Sequence, residues 1–103
     1  MTGVELLQQA IDSAQSTMTA VPESQRKDME LLIEDLEESK TTIFVRTAEA
    51  KPMIERCVRA AEILKTVVDS GGWTEDAPVA LEQFERGVSK LRNTILVRTQ
   101  RAT

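Results

Sequence analysis

Apolar side chains recur at alternating steps of three and four residues along most of this chain, beginning with Val4, Leu7, Ile11, Ala14, Met18 and Val21. Such steps return to one side of a 3.6-residue turn, so the spacing predicts amphipathic helices rather than strands. Gly occupies four of the 103 positions and Pro three, which leaves few places to turn and calls for a small number of long elements. The aromatic residues are Phe44, Phe84 and Trp73 alone, so the core must be built from Leu, Ile, Val, Met and Ala, which suits helix packing.

Punctuation divides the chain into four helical segments. Thr2-Gly3-Val4-Glu5 has the form of a capping box, and Val21-Pro22 ends the first helix because Pro disfavours the helical conformation of the residue before it. Pro22 can then open a second helix, with a seam at Met29, Leu32, Leu36, Ser39 and Ile43 that continues to Arg46. Extended to Lys51, this helix would be about 45 Å long at 1.5 Å per residue. A third seam runs through Ile54, Cys57, Ala61, Leu64 and Val68 to Ser70-Gly71-Gly72, where Gly offers a left-handed cap. The last helix is expected from Thr74 or Asp76, with Pro78 in its first turn and a seam at Leu81, Phe84, Val88, Leu91, Ile95 and Arg98.

Thr42-Ile43-Phe44-Val45-Arg46-Thr47 returns as Thr94-Ile95-Leu96-Val97-Arg98-Thr99. The same shift carries Met29 to Leu81, Leu32 to Phe84 and Leu36 to Val88, which points to an internal repeat of about 3–51 and 53–102 within one domain, 1–103. The fold expected is all-α: an antiparallel helical bundle of four helices, made of two duplicated short-long helical hairpins. The alternative is a long helix over 23–70, kinked at Pro52, with helices 1 and 4 packed along it and dimerisation completing the core.

Composition excludes several chemistries. Without His, the chain has no histidine phosphotransfer site, no Ser-His-Asp triad and no Glu-x-x-His iron site. One Cys is too few for structural zinc, and Ser70-Gly71-Gly72-Trp73 lacks the Lys and spacing of a phosphate-binding loop. No catalytic residue, cofactor or metal is therefore expected, and the chain reads as a non-enzyme. No apolar run approaches the roughly 18 residues of a membrane span. With no signal-like segment after Met1 and a single Cys, a cytoplasmic location is the expectation.

Charge is distributed unevenly. Before Pro52 there are ten acids against five bases, and after it seven against eight. Helix 2 is densely acidic, whereas residues 86–103 carry Arg86, Lys90, Arg92, Arg98 and Arg101 and no acid, so the two helices are expected to lie together within the chain or across a dimer. Arg46 and Arg98 sit on the seams, placed to reach free carbonyls at a helix end or the carboxylates or phosphates of a partner. Cys57 reads as a small buried apolar residue, and Trp73 either closes one end of the bundle or anchors an interface.

These features point to a small helical protein-protein interaction module: an adaptor, inhibitor, chaperone or assembly subunit, self-associating as a dimer. Its candidate partner-binding residues are Arg46, Arg98, Phe44, Leu96, Trp73, Arg92 and Arg101. The alternative is nucleic-acid binding by the basic C-terminal helix 86–103, disfavoured by an acidic pI near 4.9 and the lack of stacking aromatics. A third class, secreted hairpins of the WXG100 type, resembles the chain in length and helicity, but the order here is Gly72-Trp73 rather than Trp-x-Gly and it falls late in the chain instead of at a central hairpin turn, so the chain is not assigned to that family.

Overall fold

The hydroxyl of Thr2 accepts the amide of Glu5 at 3.2 Å and so opens α1 (Gly3–Ser16), which is the hydroxyl half of the capping box expected from the sequence. Helix α2 (Glu23–Ser39) follows Pro22, and α3 (Lys51–Gly71) and α4 (Asp76–Ala102) complete a computed structural model that describes residues 2–102, with side chains as far as Arg98. The four helices pack together, α1 against α2 and α3, and α4 against α3 and α2, with no strand among the described residues. Among those residues, no helix is long and apolar enough to cross a membrane.

The seams read from the sequence fill the centre. Leu7 and Ile11 of α1, Met29 and Leu36 of α2, Ile54, Cys57 and Leu64 of α3, and Phe84, Val88 and Leu91 of α4 are all buried. Trp73 is half-buried and packs against this core where α3 passes into α4, so it closes one end of the bundle. At that turn Gly72 takes φ 77° and ψ −153°, and its amide donates to Val68 at 2.7 Å. Such a positive φ suits Gly, although its ψ is not that of the left-handed helical cap expected.

The largest departure from expectation lies between α2 and α3. Helix α2 stops at Ser39 rather than reaching Lys51, and at this end Ser39, Thr41 and Thr42 turn their hydroxyls onto the carbonyls of Asp35, Glu38 and Ser39 at 2.7–2.8 Å. Those side chains compete with the helix's own ladder, and amide bonds of the tighter i to i+3 type replace it. Two 3₁₀ turns, Phe44–Arg46 and Ala48–Ala50, carry the chain to α3. Phe44 and Val45, adjacent in sequence, are both buried, whereas Ile43 is 84% exposed and off the seam assigned to it.

Pro52 therefore neither turns nor kinks a long helix. It stands in the first turn of α3, where its missing amide hydrogen costs nothing, and the alternative of one rod over 23–70 is overturned. The repeated hexapeptide also takes two conformations: its first copy forms a turn and a 3₁₀ segment, and its second lies within α4. Met29 and Leu81, Leu32 and Phe84, and Leu36 and Val88 are buried in both halves. Two amphipathic helices of one bundle would share that burial without being duplicates.

Two glycines set how closely the elements approach. A β-carbon at Gly3 would stand 1.9 Å from the carbonyl oxygen of Val45, so only Gly lets the connecting segment lie on the start of α1. At Gly87 a β-carbon would meet Cys57 Sγ at 3.4 Å, an ordinary contact. Opposite outcomes follow for one substitution in denaturant unfolding. Gly3→Ala should lower stability by about 1–3 kcal/mol through overpacking, whereas Gly87→Ala should raise it by about 0.5–1 kcal/mol through helix propensity.

Candidate interaction surfaces

Helices α2 and α4 meet through charge as well as through their seams. Arg92 Nη1 lies 2.9 Å from Asp35 Oδ1 and donates to Glu38 Oε2 at 2.7 Å, so one guanidinium spans two carboxylates one turn apart on α2. This is the complementarity expected of the acidic and basic helices, met here within the chain. Nearby, burial and the carboxylates of Asp28 and Glu82 hold the Glu85 carboxyl above its ordinary range. At the far end of α4, Arg98 pairs with Glu49 and stacks on Phe44, its guanidinium carbon 4.8 Å from the ring centroid.

The sequence candidates are thus dispersed. Phe44 is buried beneath Arg98, and Arg92 lines a small cleft with Thr42, Ile95 and the half-exposed Leu96. Arg46 is exposed in a separate hollow beside Thr2, Gly3 and Lys51, so Arg46 and Arg98 do not form equivalent positions. Trp73 lies at the other end of α3, and Arg101 falls outside the described side chains.

A second surface was not anticipated. Between α3 and α4, on their outer side, runs a groove of about 680 Å³. Ala60, Ala80 and Gly87 are its small residues, and Ile63 and Val79 line it while exposing 51% and 60% of their surfaces. Gly87 lies against Cys57, so the neighbouring Arg56, Arg59, Arg86 and Lys90 gather at one level of the groove. The short connection from Gly71 to Asp76 places Val67, Val79 and Asp76 towards the other. Arg86 is paired with Glu82, while among the described residues no ion pair engages Arg56, Arg59 or Lys90.

This groove had a sequence signature. Arg56, Arg59, Ile63 and Val67 on α3, and Val79, Gln83, Arg86 and Lys90 on α4, each follow helical spacing one step to the side of the core seam. Within that stripe Ile63, Val67 and Val79 widen the apolar face beyond the seam, and the other five residues are polar or charged. The described residues hold no cluster of His, Cys, Asp and Glu able to bind a metal ion. Cys57, beneath the groove, is fully buried, and desolvation pushes its thiol up from 9.0 to about 12. No family model, curated protein or solved structure matches this chain.

Two measurements test these local assignments. Arg92→Met should cost about 0.5–1 kcal/mol in low salt, since both pairs are partly solvated, and much less at high ionic strength. A salt-independent loss would assign the effect to packing instead. Cys57 should react with a thiol reagent only at the rate at which the protein opens. Because its native pKa is the higher one, its contribution is intact below pH 9.0 and declines as the pH rises towards about 12. Rapid labelling of folded protein at neutral pH would contradict its burial.

Proposed function

We propose that this chain is a non-enzymatic, cytoplasmic protein-interaction module that receives a protein partner in the α3/α4 groove. The observation that carries the reading is the pairing of two half-exposed β-branched residues, Ile63 and Val79, with three cations beside them that no ion pair engages among the described residues. Apolar centres with a charged margin are how protein partners are held and oriented. The basic α4 favours a protein over nucleic acid as that partner, since its Arg86, Arg92 and Arg98 each face a carboxylate of the chain itself.

Self-association belongs to the same proposal, at a different place. Leu96 is 51% exposed and shares a cleft with Thr42, which precedes the 84% exposed Ile43. A second copy covering these residues would bury apolar surface that the chain leaves in water. The repeat thus keeps a role as an apolar end, although its two copies are folded differently.

Site-specific photo-cross-linking in the native host tests both surfaces. Ile63→benzoylphenylalanine and Val79→benzoylphenylalanine should each yield an adduct with the same partner, while Asp12→benzoylphenylalanine, on the exposed face of α1, yields none. Leu96→benzoylphenylalanine should yield a species of twice the chain mass. Equal adducts from positions 12, 63 and 79 would remove the groove from the reading. An undoubled mass at position 96 would remove the dimer.

A further inference from the structure

The docking reading leaves the occupant of the groove open, and the chemistry of its walls narrows that choice. Resting on that reading, we infer that the α3/α4 groove accepts an acidic amphipathic helix of a partner protein, its apolar side over Ile63 and Val79 and its carboxylates at Arg56, Arg59 and Lys90.

Both walls of the groove are helices, so their central amides and carbonyls are already paired along each axis. An extended peptide would find no edge to bond with and would bury its own backbone groups unsatisfied. A helix brings its backbone bonds with it. Small residues at Ala60, Ala80 and Gly87 let the ridge of a third helix settle between α3 and α4 in the manner of ridges into grooves. From Arg56 to Val67 the α3 wall rises about 17 Å, which is roughly three helical turns of partner.

Charge decides what kind of helix fits. The chain as a whole carries a net −4, yet the lining holds four cations and one acid, Asp76. Arg56, Arg59 and Lys90 are exposed at the level of Gly87, and α3 and α4 leave all three without a carboxylate partner among the described residues. A neutral or basic helix covering them would remove water from cations and return nothing. Carboxylates one or two turns from the apolar anchors would meet them while those anchors cover Ile63 and Val79.

The test uses three designed fluorescein-labelled helical peptides of about 16 residues that share one leucine stripe and carry Glu, Gln or Lys beside it. Fluorescence anisotropy with the full chain should rank them Glu, then Gln, then Lys, with the Glu peptide about tenfold tighter than the Gln peptide at low salt and the gap closing at high salt. The double reversal Arg59→Glu with Lys90→Glu, both exposed and checked by circular dichroism, should reverse the ranking. Val79→Ser should weaken all three peptides.

Equal affinity for the Glu and Gln peptides, with Val79→Ser still weakening both, would overturn the acidic assignment and leave the docking reading standing. No binding by any peptide would overturn both. Tighter binding of a single-stranded or duplex oligonucleotide than of the Glu peptide, lost in the double reversal, would reassign the cations to phosphate.

Discussion

The carbonyl of Val45 lies where a side chain of residue 3 would be, and the rest of the arrangement depends on that contact. Because Gly3 has no β-carbon, the segment after α2 can press onto the start of α1 and bury Phe44 and Val45 together. The same segment delivers Ala50, also buried, to the first turn of α3, where Pro52 pre-sets the backbone. Its outer side then receives the end of α4, with Arg98 on the Phe44 ring and against Glu49. One short irregular stretch thereby touches three of the four helices.

Charge works on top of that packing rather than in place of it. Arg92 and its two carboxylates are each partly in water, and pairs of that kind contribute at most about 1 kcal/mol. Burial of a core side chain such as Leu91 or Leu36 contributes about 1.5–3 kcal/mol, so the seams fix α2 against α4 and the ions select their alignment. Burial first, and then the same acidity, holds the Glu85 carboxyl above its ordinary range, since it shares its surroundings with Asp28 and Glu82. The electrostatics of the two helices favour contact near their C-terminal halves and oppose it near Asp28.

The helices and the core were legible because both follow from a local rule, the period of the apolar residues. Leu7, Ile11, Met29, Leu36, Ile54, Leu64, Phe84 and Val88 all lie where that rule places them. It failed after Ser39, where Ile43 was placed on a continuing seam. There three hydroxyl side chains compete for the carbonyls, and a tertiary gain, two buried neighbours in place of one, completes the departure. A period cannot report that outcome, since it depends on Gly3, some forty residues away. The groove was missed for a different reason. Its stripe is visible in the sequence, but reading one seam per helix assigned Ile63 and Val79 to no surface at all.

That second stripe follows from how the bundle is completed. Helices α1 and α2 contact each other and lie on α3 and α4 respectively, so both of them cover the same side of the α3/α4 pair. The opposite side is left to Ile63 and Val79, each about half-exposed, when full burial of such a side chain contributes about 1.5–3 kcal/mol. Roughly 1 kcal/mol per residue therefore remains to be gained by covering them. Desolvating Arg56 and Arg59 without partners would offset that gain, so an apolar surface alone is a poor occupant. On the docking proposed above, a partner that supplies carboxylates would keep the hydrophobic gain, and the cations would favour acidic surfaces over neutral or basic ones.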